Sequence, residues 1–370
     1  MKRTLVNILI VAATVAIVFG LDKVVSRLQN DPSLHAGYPV RILMLALIAV
    51  IAAVSLNLVN GFTGQFSMGH AAFYGIGAYT GAALTVFAQK QLFGHILAIG
   101  EETGWWLSSG VLLLAMLVGG LAAALTGFVV GLPSLKLRGD YLAIMTVGFN
   151  MIVVVIANNL KEMGGAAGFN GVYVGDTLIG IPPLTTFFWV ALVAIAVVVL
   201  SINLRRSVHG LAFESIREDE IAAEAMGIPT TRYKVTAFVL AAFIAGAAGA
   251  LYVHFDLRVS PADIDFIVSI NFVVMVVLGG LGSVSGAVIG AILLTVLPEA
   301  LRMNGSYRLV IYSIMLIVLM LVRPQGIFGR DEIGRAWMLK QVQGTKTLPA
   351  RISGWTASLF DRFAHRRLSS

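Results

Sequence analysis

Polar residues able to bind a polar solute interrupt an apolar stretch between positions 60 and 70. Gln65, Ser67 and His70 carry amide, hydroxyl and imidazole groups, which both donate and accept hydrogen bonds. Three glycines among them favour an interrupted helix: Gly61, Gly64 and Gly69. Polar groups at membrane depth are tolerated only where protein buries them or a watery cavity meets them. The segment is therefore either a broken helix beside a solute path or an ordinary turn on the cytoplasmic side.

A glycine-rich run from Leu278 to Gly290 has the composition of a phosphate-binding loop, but its spacing excludes that chemistry. In a dinucleotide fingerprint counted from Gly280 and Gly282, the third glycine would stand at Ser285. No Gly-Lys-Ser or Gly-Lys-Thr follows, so a P-loop is excluded as well. The flanking apolar runs instead predict a second helix break within the membrane, at Gly279, Gly280, Gly282 and Gly286.

Six polar residues in or beside apolar runs are the candidate lining of a solute path, because leaving them in lipid is costly. They are Gln65, Ser67, His70, Thr146, Asn150 and Asn271. His70 and His254 are also conceivable proton relays, although a lone histidine at a helix end more often serves as a structural donor. The chain has no cysteine and no histidine pair at metal-ligand spacing, so we predict no metal site and no bound cofactor.

The basic segment 205–234 contains a different signal, a short helix outside the membrane. Ser215 and Glu218 have capping-box spacing, Gly227 is a natural residue to follow the last turn, and Pro229 stops the helix. One small apolar face is expected, formed by Ile221, Ala222, Ala225 and Met226, with Glu224 off it. Such a face suits docking into a groove of a partner protein. The alternative is a helix that folds back on its own bundle.

Composition determines which elements can position these groups. The chain has 58% hydrophobic and 12% charged residues, far from the composition of a soluble protein, so lipid is the expected solvent. Apolar runs long enough to be helical predict an all-α, polytopic transmembrane bundle of about ten spans. They cover 5–21, 42–59, 66–88, 106–131, 141–159, 186–204, 234–253, 266–281, 284–300 and 309–322.

Charge predicts the orientation of the bundle. The net charge is +7, and the Lys and Arg residues lie between and after apolar runs, which fits the positive-inside rule and argues against nucleic-acid binding. If Lys2 and Arg3 are cytoplasmic, alternating spans also place two basic segments in the cytoplasm, 205–234 and the tail 331–370. The segment 22–41 is an exception to the rule, because its basic residues fall outside. The first apolar run has the length of a retained span, the alternative being a cleaved signal peptide.

An ordered set of motifs resembles the LivM-type branched-chain amino acid ABC permeases. The carrying segments are 57–81, 133–141, Gly164-Gly165 with 168–171, 216–227, 279–290 and 323–328. They cover roughly residues 40–330 in the order of that family, which implies a permease domain over 1–330 with the ABC importer permease fold.

The resemblance implies a set of partners in a bacterial inner membrane with both termini cytoplasmic. These are a second related permease, two cytoplasmic ABC ATPases that carry ATP and magnesium, and a periplasmic amino-acid-binding protein. The chain itself would then be a transporter subunit and not an enzyme. The implied ATPase-coupling loop consists of Glu218, Asp219, Glu220, Ile221, Ala222, Ala223, Glu224, Ala225, Met226 and Gly227. Its order Ala222-Ala223-Glu224-Ala225 departs from the Glu-Ala-Ala pattern of ABC importers.

Three alternatives remain at this point. The first is an ABC importer of urea, short amides or another amino acid. The second is a carrier or channel that works alone, which the scarcity of acids within the spans opposes. The third is a membrane-embedded enzyme, which lacks a catalytic constellation in the sequence.

Overall fold

The computed structural model describes residues 2–30, 37–91, 104–134, 140–174, 177–301, 308–322, 326–327 and 329. The predicted basic tail, 331–370, lies outside them. The α-helices are α1 (Lys2–Asn30), α2 (Gly37–Asn57), α3 (His70–Gln91), α4 (Trp105–Ser134), α5 (Asp140–Asn159), α6 (Phe187–Arg205), α7 (Val208–Glu218), α8 (Glu220–Ala225), α9 (Thr230–Asp256), α10 (Phe266–Gly279), α11 (Val284–Ala300) and α12 (Arg308–Val322). A π-helical turn, Leu58–Phe62, follows α2, and 3-10 turns occupy Lys161–Met163, Gly165–Ala167 and Pro261–Ile264.

Each of the ten apolar runs coincides with a helix. By length and composition, six helical segments of the described residues can cross a membrane: Gly37–Phe62, Trp105–Ser134, Tyr141–Asn159, Phe187–Arg205, Thr230–Asp256 and Pro261–Gly279. The shorter apolar helix Val284–Ala300 lies beside them. The chain is therefore a helical membrane bundle.

The structure adds a small sheet that the all-α prediction omitted. Strands β1 (Gly171–Val174) and β2 (Thr177–Gly180) pair antiparallel between α5 and α6. Phe169 also pairs with Val259, so the segment is fastened to the chain that follows α9. β-branched and aromatic residues such as Val172, Tyr173 and Ile179 favour such pairing.

Helix α9 is the central packing element and contacts α3 and α4 most extensively. The approach is close because glycines face one another: a Cβ on Gly77 would overlap the Gly246 backbone, and one on Gly127 would lie 2.7 Å from the Ala242 methyl. Gly290 likewise lies against the Met275 carbonyl. Small residues at these positions let the helices pack closely, as is typical of membrane proteins.

Three contacts indicate which helix ends lie together. Arg41 near the start of α2 pairs with Asp256 at the end of α9, at 2.5 Å. Asp22 in α1 accepts a hydrogen bond from the Phe188 amide at the start of α6, at 2.9 Å. At the opposite end of α9, Lys234 pairs with Glu220 of α8, at 2.6 Å. The segment α7–α8 and the start of α2 are thus at opposite ends of the bundle.

Candidate functional site

The two predicted helix breaks meet in space. The first extends from the π-helical turn to the start of α3 at His70, and the second separates α10 from α11. Asn57, which is 1% exposed, joins them: its Oδ1 accepts a hydrogen bond from the Gly282 amide at 2.9 Å, and its Nδ2 donates to the Ser283 carbonyl at 3.1 Å. The Asn57 side chain therefore satisfies the Gly282 amide, which has no helical partner, and adds a second donor to the Ser283 carbonyl, which already accepts from the Ala287 amide at 3.1 Å.

The glycines of the breaks serve two different purposes. Gly64, Gly280 and Gly282 have φ values of 68°, 117° and 89°, in the region that favours glycine, so they make the turns. Gly279 and Gly286 instead lie within α10 and α11, where a Cβ on either would overlap the carbonyl of the other. The prediction that Gly286 belongs to the break is wrong, because it lies in α11. Gly279 is the last residue of α10 and borders the break, and both glycines are contact points between the helices.

Gly61 and Gly69 permit close approach at the first break. A Cβ on Gly61 would lie 2.6 Å from the Gly282 nitrogen, and one on Gly69 would overlap the carbonyl of Thr146 in α5. The first break therefore packs against α5 as well as against the second break. The backbone from 63 to 69 is not helical, so α3 begins four residues later than the predicted span at 66.

Arg217, in the last turn of α7, connects the coupling segment to both breaks. Its Nη1 donates a hydrogen bond to the Gly61 carbonyl at 2.6 Å. Its side chain lies against two glycines, since a Cβ on Gly64 would be 2.9 Å from Arg217 Cγ and one on Gly282 would be 2.5 Å from Nη1. Sequence reasoning counted Arg217 only as a cytoplasmic charge, because nothing in the spacing reveals a partner 156 residues away.

The coupling loop forms two helices where one was predicted. Asp219 separates them and caps α8, accepting hydrogen bonds from the amides of Ile221 at 2.9 Å and Ala222 at 3.0 Å. Ser215 does not cap a helix, because it lies inside α7 and its hydroxyl donates to the Ala212 carbonyl. Its predicted capping role is therefore wrong.

The C-terminal end of α8 follows the prediction. Gly227 has a φ of 84°, the left-handed conformation expected after the last helical turn. Two anchors then fix α8 to α9: Glu224 accepts from the Thr230 hydroxyl at 2.6 Å, and Glu220 pairs with Lys234. Helix α8 and the start of α9 are therefore joined by a hydrogen bond and an ion pair.

The apolar face of this segment is exposed. Ile221 is 65% exposed and Met226 82% exposed, and Ala222 and Ala225 lie beside them at the surface. Ala223 instead is 4% exposed and faces the bundle. Exposed apolar side chains that share one face fit a protein partner.

The candidate path residues fall into two groups, the first of which surrounds the first break. The Ser67 amide donates to Asn60 Oδ1 at 3.0 Å, and the Met68 amide donates to the Thr146 hydroxyl at 3.0 Å. His70 Nε2 lies 2.7 Å from the Ser55 hydroxyl. Ser67, His70 and Thr146 are thus brought to the same part of the bundle. The side chains of His70 and Thr146 help to hold the break in place, whereas the buried Ser67 hydroxyl has no partner among the described residues.

Three candidate path residues behave differently from that group. Gln65 is 6% exposed, and neither side-chain polar atom has a partner among the described residues. Asn150, one turn after Thr146 in α5, donates to the Ile264 carbonyl at 3.3 Å, and its Oδ1 has no partner among the described residues. Asn271 is exposed on α10. No cluster of three or more potential metal ligands occurs in the part of the chain that the structure describes.

Comparison with known proteins identifies the family. The profile of the family described as "Branched-chain amino acid transport system / permease component" matches residues 38–322. The high-affinity branched-chain amino acid transport system permease protein LivM of Escherichia coli K12 is 35% identical over 315 residues, 78% of this chain and 69% of that protein. LivH of the same organism is 26% identical over 293 residues, 76% of this chain and 92% of that protein.

A more distant relative covers more of the chain. The probable branched-chain amino acid transport permease protein LivM of Methanocaldococcus jannaschii is 25% identical over 347 residues, 88% of this chain and 95% of that protein. No solved structure matches. From the family match over most of its length and the similarity to LivM, this chain belongs to the family of branched-chain amino acid transport system permease components.

Proposed function

We propose that this chain forms half of the translocation path of an ATP-driven importer of leucine, isoleucine and valine. It works beside a second, related permease, with two cytoplasmic ABC ATPases and a periplasmic amino-acid-binding protein. ATP and magnesium are bound by the ATPases. The similarity to both LivM and LivH, which are permease proteins of branched-chain amino acid transport systems, supports a pair of related permeases.

The observation that carries the mechanism is the contact of Arg217 with the first break. The exposed apolar face of α8 receives the ATPase, and α7 follows its displacement because only Asp219 separates the two helices. Arg217 then pulls on the Gly61 carbonyl, and Asn57 passes the movement to the second break through its bonds to Gly282 and Ser283. Changes at the ATPase thereby reach both breaks of the membrane bundle.

The proposed topology has ten crossings, α1–α6 and α9–α12, with both termini and the tail 331–370 in the cytoplasm. Alternation then assigns the start of α2 and the end of α9 to the periplasmic side, in agreement with the Arg41–Asp256 pair. It assigns both breaks and α7–α8 to the cytoplasmic side, in agreement with the Arg217–Gly61 bond. Arg41 was an exception to the positive-inside rule in the sequence, and its pairing with a carboxylate offsets that charge.

The path passes Gln65 and the group formed by Ser67, His70 and Thr146, and then Asn150 and Asn271. The unpartnered amide of Gln65 supports this route most strongly, because a buried amide without hydrogen bonds is costly and gains partners when water or a solute enters. Asn271 is exposed and faces the second permease in this arrangement.

Reconstitution tests the proposal. The full complex in liposomes should accumulate labelled leucine only with ATP and loaded binding protein, and isoleucine and valine should compete where urea and acetamide do not. Uptake by this chain alone would refute ATPase coupling. Competition by urea or acetamide, with none by isoleucine, would refute the substrate assignment.

A further inference from the structure

A cavity of about 230 Å³ lies between α2, α3, α9 and α10. Its lining is mostly apolar: Leu45, Ile48 and Val268 form aliphatic walls, and Tyr74, Tyr252 and Phe272 form an aromatic one. The three rings pack together, with the Tyr74 ring 5.6 Å from that of Tyr252 and 5.6 Å from that of Phe272. Small apolar side chains can be received there, as in ligand sites that combine an apolar lining with few polar groups.

The cavity is at the end of the bundle far from the coupling segment. Along α9, Tyr252 lies 22 residues after Thr230, about 33 Å at the helical rise of about 1.5 Å per residue. The Arg41–Asp256 pair lies at the same end. In the proposed topology this is the periplasmic side, where the binding protein releases its cargo.

Charges of both signs surround the outer part of the cavity. Asp263 lines it directly, and the Ser260 amide and hydroxyl donate to Asp263 Oδ2 at 2.8 and 2.6 Å. These two bonds fix the carboxylate and leave Oδ1 for a cationic group. Arg41, which pairs with Asp256, and the exposed Arg258 lie at the same end of α9, outside the lining of the cavity.

We propose that this cavity binds an aliphatic L-amino acid as its zwitterion before translocation. The ammonium group contacts Asp263, and the carboxylate is attracted by Arg41 and Arg258. The side chain enters between Ile48 and Phe272. The inference rests on the proposed function, and none of these residues belongs to the path predicted from the sequence.

Selectivity follows from the apolar lining. Each methylene transferred from water into such a cavity raises affinity by about fourfold, so leucine should bind on the order of fiftyfold more tightly than alanine. The carboxylate of Asp263 adds preference for a cationic amine over a neutral amide. An amino alcohol, which lacks the carboxylate, should bind more weakly than leucine.

Cysteine labelling of the assembled transporter tests the inference, since the chain has no native cysteine. Val268→Cys places a thiol in the cavity wall, and Ile267→Cys is the matched control, because Ile267 is the preceding residue, is 65% exposed and does not line the cavity. Leucine added directly, without binding protein or nucleotide, should slow labelling of the first variant and not of the second. Alanine should need on the order of fiftyfold higher concentration.

Two further substitutions, made in the Val268→Cys background, identify the groups involved. Asp263→Asn should raise the protecting concentration of leucine at least tenfold through loss of the charged contact. Ala49→Leu fills the cavity from its wall without altering a charged group, and should abolish protection. If Asp263→Asn weakens the contacts with Ser260 and the complex fails to assemble, Ala49→Leu still tests the cavity.

The outcomes separate the cavity from the transporter. A Val268→Cys complex that imports leucine with ATP but gains no protection from leucine overturns the cavity site and leaves the proposed function intact. Equal protection of both thiols also overturns the cavity site, because leucine then acts elsewhere than in the cavity. A Val268→Cys thiol that reacts only after the second permease is removed overturns it too, because the cavity is then a contact between subunits. If the complex that contains the unsubstituted chain imports no leucine, the result counts against the proposed function instead.

Discussion

Replacing Arg217 should uncouple ATP hydrolysis from transport. The guanidinium donates to the Gly61 carbonyl at 2.6 Å and fits against Gly64 and Gly282. A hydrogen bond to a charged group contributes about 1.5–3 kcal/mol, and about 1.4 kcal/mol corresponds to a tenfold change in an equilibrium. Arg217→Ala should therefore lower the leucine imported per ATP hydrolysed by roughly tenfold to a hundredfold.

The measurement compares two rates in the same liposomes, ATP hydrolysis stimulated by loaded binding protein and import of labelled leucine. Arg217→Lys keeps the charge but not the planar fork, so it should recover only part of the coupling. Arg206→Ala is the matched control, because Arg206 is exposed at the same end of the bundle, just after α6. It removes one positive charge without touching either break.

A normal import-to-hydrolysis ratio in an assembled Arg217→Ala complex would contradict the mechanism. Equal losses in Arg217→Ala and Arg206→Ala would contradict it too, because the effect would then be one of net charge. The expected result is a loss of import at nearly unchanged ATPase binding, which is measured by co-purification. That combination distinguishes a broken link from a broken docking surface.

Three further predictions concern packing and docking. Met226→Glu should reduce co-purification of the ATPases at least tenfold, because it puts a charge on the exposed apolar face. Ala223→Arg should instead prevent folding, because Ala223 is 4% exposed and the arginine would be buried. Asn57→Leu should lower the free energy of unfolding by about 1–3 kcal/mol, because it leaves the buried Gly282 amide unpaired, and the change should appear as a lower Tm of the purified subunit. Gly77→Val should abolish a monodisperse peak in size-exclusion chromatography, since its Cβ would overlap the α9 backbone, while Gly148→Ala, with open space around it, should leave the peak unchanged.

Local composition was sufficient to predict the long apolar helices and the two places where they are interrupted. A run of about twenty apolar residues has few alternatives to a helix in lipid, because the helix satisfies its own backbone. The breaks follow from glycine and polar residues placed within such runs. These properties depend on residues close together in the chain, which is why each of the ten apolar segments coincides with a helix.

The roles of individual glycines could not be predicted from that composition. Gly282 turns the chain at a positive φ, whereas Gly286 permits α11 to approach α10. Both roles demand a missing side chain, and only the packed structure separates them. The same holds for Arg217, whose partners come from two distant segments, and for Asn57, which bridges 225 residues.

Competing local signals explain the error in the coupling loop. Ser215–Glu218 and Asp219 are both acceptable helix starts by spacing. The chain uses Asp219 because Ser207 already caps α7 through the Gly210 amide at 3.3 Å, so Ser215 is in a helix interior. Ser207 lies in the same basic segment but carries no capping-box signal, because the residue three positions later is Gly210 and not Glu or Gln.

The two ends of the proposed mechanism are physically connected by α2 and α9. Helix α2 contributes Ile48 to the cavity and Asn57 to the breaks, and α9 extends from Lys234 beside α8 to Tyr252 in the cavity wall. Tightly packed helices respond to force as nearly rigid bodies, so a tilt imposed at the breaks must also change the spacing of the cavity walls. An occupied cavity should in turn oppose that tilt. Binding free energies are reciprocal, so each ligand must change the affinity of the other by the same factor. If nucleotide binding to the ATPases lowers the affinity of the cavity for leucine, leucine must lower the affinity of the ATPases for nucleotide equally.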